Sequence, residues 1–346
     1  MSDAEVTIDG LPAPYTARAP EADDGPAGTE LLAAHESAAK GSSSADVESV
    51  LGKLVGLGSW TRRQALVHHP DGRLVGWLAV HDRAAGRTLV EVTVSPDLPE
   101  DEAAAIAGAL FSATDRYAHD IASLRSLPTT LLDSGAFEDD ARQQRWLADA
   151  GYRHARTWWQ MTRPVTPEEA DSLPGPKEGV TIRSLDRHDD GLPVARDLQM
   201  AHRVLEESFQ DHFSSYPESF PEWVMRMRED PGHRWDHWWL ATVQTEEGEV
   251  PAGAVIAAVL GPDADGVGGS YVDYIGVTRA ARGRGVAKAL LRAVVADTAR
   301  RGNNRVGLEV DADSPTRADA LYTSLGWVTD YSTQSWHRDL DVTPEA

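Results

Sequence analysis

The stretch Tyr271–Lys288 (YVDYIGVTRAARGRGVAK) constrains the fold more than any other. An apolar strand runs into a loop carrying Gly283 and Gly285, and the loop opens directly into an amphipathic helix. A strand–glycine–helix passage of this kind belongs to α/β architecture. The first turn of such a helix has backbone N–H groups without an intrahelical partner and carries the positive end of the helix dipole, so it can bind an anion. Gly283 and Gly285 let the backbone close on a pyrophosphate, and Arg282, Arg284 and Lys288 add positive charge. The dinucleotide pattern G-x-G-x-x-G and the Walker loop G-x-x-x-x-G-K-[ST] are both absent.

Around this turn the periodicities predict a strand at Val180–Leu185, helices over 190–208 and 218–230, and strands near 237–244, 252–260 and 269–278. They continue with a helix over 284–301, a strand over 305–311, a helix over 315–325 and a closing hairpin near 327–340. The first half of the chain repeats this order. Strands are expected at 15–19, 64–69, 74–81, 88–94, near Thr130 and at 152–162, with helices over 25–38, 45–56, 101–119 and 140–150. Between the halves, 163–179 is rich in proline and acid and reads as a linker. The expectation is an α/β (α+β) chain of two tandem folds, each a mixed central sheet flanked by helices. The domains are 1–163 and 180–346, with 164–179 between them. A length of 346 residues suits two domains of roughly 150 each.

Composition narrows the partners. A formal charge of −22 argues against nucleic acid, whose phosphates a partner must neutralise. It suits a cationic small molecule, and it serves solubility equally well. The absence of cysteine excludes disulfides, thiolate metal sites and a cysteine nucleophile. The sequence shows no apolar run long enough to span a membrane and no export signal, so the expected location is the cytoplasm. The oligomeric state is not readable.

Arg282-x-x-Gly285-x-Ala287, five residues after Val277, resembles motif A of the GCN5-related N-acetyltransferase (GNAT) family, (Q/R)-x-x-G-x-(G/A). Downstream, Ala318, Leu321, Tyr322 and Gly326 match that family's second signature, N-x-x-A-x-x-L-Y-x-x-x-G-F. Ser314 stands in place of its asparagine and Trp327 in place of its phenylalanine. A serine retains one donor where the asparagine would contact coenzyme A. The tandem plan resembles double-domain actinobacterial acetyltransferases such as the mycothiol synthases.

The resemblance implies acetyl-coenzyme A as cosubstrate and direct attack by a substrate amine on the thioester. The histidines lack the helical H-E-x-x-H arrangement and any thiolate help, so no metal is expected. The implied cosubstrate contacts are Ile275, Val277, Arg282, Gly283, Arg284, Gly285, Val286, Ala287, Lys288, Ser314 and Tyr322. The Val277 N–H would steady the carbonyl oxygen as it gains charge. Tyr322 is the expected acid for the leaving sulfur, because its ordinary pKa of about 10, above the roughly 8.5 of a thiol, keeps it protonated at neutral pH. For the base, Asp273 shares a strand face with Val277 by even spacing, and Glu309 points away from Val306, Leu308 and Val310. Glu206, Glu207 and His212 are further candidates. His233, Trp235, His237, Trp238 and Trp239 read as core or rim packing, and His68-His69 as a strand end.

Laid over the second half, the first half has Pro99-Glu-Asp-Glu102 where Arg282-Gly-Arg-Gly285 falls, and Leu147 where Tyr322 falls. Carboxylates would repel a pyrophosphate and leucine cannot donate a proton, so the first half reads as a non-catalytic partner. The leading expectation is an N-acetyltransferase acting on a small cationic or amino-sugar amine. Acetylation of a protein lysine or N-terminus, and a non-catalytic acyl-CoA-binding module, are the alternatives.

Overall fold

The computed structural model describes residues 6–83, 86–210, 218–230, 232–263, 265–314 and 317–342. Contacts group the chain into two units that are not contiguous in sequence. The first takes residues 1–158, 228–231 and 331–346, and the second takes 159–227 and 232–330.

The first unit runs β1 (Thr16–Arg18), α1 (Gly25–Lys40), α2 (Val47–Leu54), β2 (Arg62–His68), β3 (Leu74–Arg83), β4 (Arg87–Val94), α3 (Glu100–Leu124), β5 (Thr129–Phe137) and α4 (Ala141–Asp149). It also takes the first half of β6 (Arg153–Pro164) and most of β12 (Val328–Asp341). The sheet order is β1-β2-β3-β4-β5-β12. All neighbours are antiparallel except β4 and β5, which are parallel. Ala65, Val67, Leu78, Val80, Val90 and Val92 of the strands pack with Ile106, Leu110 and Phe111 of α3 in one core. Residues 327–340 therefore form no hairpin. They are a single strand that pairs with β5 from Thr333↔Phe137 to Asp341↔Thr129. Local sequence shows the alternation of a strand but not its partner, which lies about two hundred positions away.

The second unit runs α5 (Glu169–Ser172), β7 (Val180–Ser184), α6 (Ala195–Phe209), α7 (Phe220–Glu229), β8 (His233–Thr245), β9 (Gly248–Leu260), β10 (Gly269–Val277), α8 (Val286–Arg300), β11 (Arg305–Asp311) and α9 (Ala318–Ser324). Its sheet order is β7-β8-β9-β10-β11-β6, with β10 and β11 parallel. Alternation gives each face its own core. Trp239, Ala241, Val255, Ala257, Val272, Val306 and Leu308 pack with Val286, Leu290, Leu291 and Val294 of α8. Trp238, Leu240, Ala254 and Ile256 pack with Leu198, Ala201, Val204, Leu205 and Trp223 of α6 and α7 on the other face. The consecutive tryptophans 238 and 239 thus fill opposite cores, as strand packing requires.

The segment after β6 is more ordered than a proline- and acid-rich linker suggests. Val165 is buried, Ala170 and Leu173 pack on the α8 core, and Arg300 Nη2 donates to Ala170 O at 2.8 Å. Arg163 pairs with Glu169 and donates through Nε to Leu325 O at 2.7 Å. Among the described residues no helix is long and apolar enough to cross a membrane.

Candidate acyl-transfer site

Three features of the second unit converge on one apolar cluster. The first is the turn between β10 and α8. Gly283 (φ +79°) and Gly285 (φ +86°) both occupy the left-handed region, and Gly285 is the N-cap of α8. Only glycine takes these angles without cost. The turn therefore presents bare backbone at the helix start, where unpaired N–H groups collect. Val286 of the first helical turn is buried, while Arg282 and Lys288 are exposed and form no ion pair with a described residue. Ala287 is half-buried between them. Arg284 is half-buried, and its Nη2 donates to Gln244 O at 2.9 Å.

The second feature is an opening between β10 and β11. The two strands pair only at Ser270↔Val306, Tyr271↔Gly307 and Val272↔Leu308. From Tyr274 to Val277 the partners of β10 are those of β9. Thr278 N donates to Ala252 O of β9 at 2.9 Å. Because successive N–H groups in a strand point to opposite sides, the Val277 N–H turns away from β9 toward the edge that lacks a strand. Gly253, opposite Val277, allows the close packing behind this edge: a Cβ there would stand 2.8 Å from Val286 Cγ1.

A register shift lies between Val272 and Tyr274, so Val272 shares a face with Ile275 and Val277 despite odd spacing. Val272, Ile275 and Val277 pack toward α8, whereas Tyr274 packs toward α6 and α7. An inserted residue moves every later side chain to the other face, and composition does not announce a bulge.

The third feature is Tyr322 on α9. It is buried in the α8-side cluster together with Val286, Val310 and Trp327, and Ile275, Val277 and Ala318 pack against the same cluster. Its ring meets Trp327 edge-on at 6.2 Å. Burial pushes its pKa up to about 12, so the hydroxyl keeps its proton. Ser314 sits in the turn after β11, where its N–H donates to Asp311 O at 3.0 Å.

The remaining acid candidates are placed less centrally. Glu309 is exposed and accepts from Gln160 Nε2 at 3.0 Å, and Tyr271 Oη donates to Gln160 Oε1 at 3.2 Å. Glu206 accepts from the backbone of Glu218 at 3.3 Å and lies 3.6 Å from His202, while Glu207 is exposed. His212 lies outside the described residues. Among the described residues no cluster of three or more His, Asp or Glu side chains could hold a metal. His233, Trp235 and Trp238 stack edge-on or tilted at 4.3–5.4 Å, as packing side chains do. Sequence reading missed Gln160 and Tyr271, whose pairing depends on a strand arriving from far upstream.

Residues 201–327 match the acetyltransferase (GNAT) family. A mycothiol acetyltransferase of Salinispora arenicola is 32% identical over 271 residues, covering 75% of this chain and 76% of that protein. The chain belongs to the GNAT acetyltransferase family. A mycothiol acetyltransferase of Jonesia denitrificans is also 32% identical, over 195 residues, but the chain spans only 56% of that relative's length. Among solved structures, a GCN5-related N-acetyltransferase from Sphaerobacter thermophilus superposes with a TM-score of 0.71. Its sequence identity is 26%, and the match covers 97% of this chain and 98% of that one. A tandem GNAT protein of the clavulanic acid biosynthesis pathway shares the fold at a TM-score of 0.63 and 17% identity, over 96% of this chain and all of that one. The chain is accordingly a tandem GNAT fold of mixed α/β class.

Proposed function

We propose that this protein transfers the acetyl group of acetyl-coenzyme A to the primary amine of a small cationic or amino-sugar acceptor, and that residues 180–346 supply the chemistry. One observation carries the reading. The Val277 N–H faces an edge of β10 that lacks a strand, next to a doubly left-handed glycine turn and the cluster that holds Tyr322.

In this reading the 282–288 turn grips the pyrophosphate through backbone N–H groups, with Arg282 and Lys288 as exposed cations. Ile275, Val286 and Ala287 form the apolar backing, and Ser314 is a further polar contact. Val277 N–H donates to the thioester carbonyl oxygen, whose charge grows as the amine attacks. Removing one such donor from an acyl-transfer site typically costs about a hundredfold or more in rate. Asp273 or Glu309, directly or through water, takes the amine proton. Tyr322 Oη gives its proton to the departing sulfur. The relatives named mycothiol acetyltransferases favour a small-molecule acceptor over a peptide, and a chain charge of −22 favours a cationic one. Residues 1–163 are assigned a non-catalytic role, with 164–179 as the connecting segment. The absence of cysteine and the dependence on acetyl-coenzyme A fit a cytoplasmic reaction.

The test is amine-dependent release of coenzyme A from acetyl-coenzyme A across a panel of amino sugars, polyamines and lysine peptides. If no amine raises release above hydrolysis, the reading fails. Tyr322→Phe is expected to keep acetyl-coenzyme A affinity and lower kcat about a hundredfold. The pH profile gives the sign: a tyrosine held near 12 stays protonated through the range where amine and base lose their protons. The wild-type kcat should rise with pH and show no tyrosine-dependent fall below pH 10. A falling limb below that value that vanishes in Tyr322→Phe would contradict the buried-acid role.

A further inference from the structure

We infer that Lys177, in the segment that joins the two halves, is a ligand of the coenzyme A pyrophosphate, and that Arg284 acts instead as the strut that holds the Lys177 turn in place. The inference rests on the reading of the 282–288 turn given above.

Two sets of contacts carry it. A Cβ built on Gly285 would stand 3.1, 3.2 and 3.5 Å from Cδ, Cε and Cγ of Lys177. The lysine stem therefore lies across the bare backbone of the α8 N-cap, and its ammonium, one bond beyond Cε, is carried to the first turn of that helix. This contact requires glycine at 285, since a side chain there would displace the stem. Lys177 is exposed and forms no ion pair with a described residue, and it is the sole basic residue between Arg163 and Arg183.

The turn that presents it is fixed by hydrogen bonds at both ends. Val180 N donates to Lys177 O at 3.0 Å, and Gln244 N donates to Gly179 O at 2.8 Å. Arg284 Nη2 donates to Gln244 O at 2.9 Å and stands 3.5 Å from where a Cβ of Gly179 would be. The arginine spends its donor on a β8 carbonyl and packs beneath the turn that holds the lysine. A lysine stem laid over unpaired helix-start N–H groups suits a diphosphate, which takes an ammonium and backbone donors at once.

The test is calorimetric titration of the full-length protein with coenzyme A and with 3′-dephospho-coenzyme A. Lys177→Ala should weaken both ligands by the same factor, about tenfold, as expected for one charge-assisted contact, and Lys177→Arg should restore most of the loss. Arg284→Ala should weaken binding comparably, and the double variant should bind no worse than Lys177→Ala alone, because the strut works only through the lysine. If the wild type binds coenzyme A and Lys177→Ala binds it equally well, this inference fails while the proposed function stands. A wild type that binds no coenzyme A removes the reading of the turn itself. A loss confined to coenzyme A moves the contact to the 3′-phosphate and overturns the pyrophosphate assignment. Additive losses in the double variant make Arg284 a ligand and overturn its role as a strut.

Discussion

At the end of α4 in the first unit, Gly151 takes a left-handed φ of +81° and Tyr152 N donates to Leu147 O at 2.9 Å. At the end of α9 in the second unit, Gly326 has φ +98° and Trp327 N donates to Tyr322 O at 3.2 Å. The two helix ends are built alike, so Leu147 and Tyr322 occupy the same place in their respective turns. Four residues earlier the pair is Gln143 and Ala318. Gln143 is buried and its Nε2 donates to Val92 O at 3.1 Å, while Arg142 Nη2 donates to Val94 O at 3.3 Å. Those carbonyls lie on β4 beyond Val90, the last residue that pairs with β5. The first unit thus opens its parallel strand pair as the second does, and then closes the opening with side chains. The second unit has alanine at 318 in place of that glutamine.

The phosphate turn differs in length as well as in residues. Ser95–Pro99 gives five residues between β4 and α3, against the eight of Thr278–Gly285 between β10 and α8. Aligned letter for letter, Glu100 and Glu102 stand in for Gly283 and Gly285. In the structure they lie inside the first helical turn, where Arg145 pairs with Glu100 and Tyr15 donates to Glu102. The first unit has the shorter loop, and its carboxylates lie at the helix start.

The strongest way to break this comparison is to write the first unit's residues into the second. Gly283→Glu combined with Gly285→Glu puts two β-carbons at positive φ and two like charges beside the pyrophosphate. Losing two or three charge-assisted hydrogen bonds costs about 4 kcal/mol, or roughly a thousandfold in coenzyme A affinity. Titration of coenzyme A into the folded double variant checks this. Retained binding would move the cosubstrate away from the turn.

A smaller change tests the opening itself. Ala318→Gln copies the plug of the first unit and offers the Ile275 carbonyl the donor that Val92 already receives. A glutamine there would stand in the way of the pantetheine arm, so coenzyme A affinity should fall about tenfold to a hundredfold, or about 1.4–2.8 kcal/mol, with the melting temperature measured alongside as the control for overpacking. Unchanged affinity would show that the gap between β10 and β11 is not where the pantetheine arm enters.

Sequence alone reached most of this where the signal is local. Strand alternation and helix periodicity place most of the long elements, though β12, expected as a hairpin, is one strand. Gly283 and Gly285 stand out as a glycine loop at a helix start, and Tyr322 through its match to the family's second signature. Three things were out of reach for physical reasons. The shift between Val272 and Tyr274 puts Val272 on the face of Ile275 and Val277 despite odd spacing, and composition does not announce it. The partner of Val328–Asp341 is β5, a choice made by tertiary packing. Lys177 sits in a stretch without periodicity, and its one outward mark is being a lone base among acids.

The mildest test asks whether the first unit matters to the chemistry at all. Leu147 has no exposed surface and sits in the core formed by β3, β4, β5 and α3. Leu147→Ala removes buried methyl and methylene groups and leaves a cavity, a change worth about 2–5 kcal/mol in a packed core. Because no proton donor is lost, coenzyme A affinity and kcat at 25 °C should stay within about twofold of wild type provided the variant remains folded, while urea unfolding shifts to lower concentration. The informative result would be the reverse: unchanged unfolding with a large loss of turnover would mean that the leucine position still reports to the reaction. In that case the first unit could not be regarded as scaffold, and the matching helix ends of α4 and α9 would need a catalytic explanation.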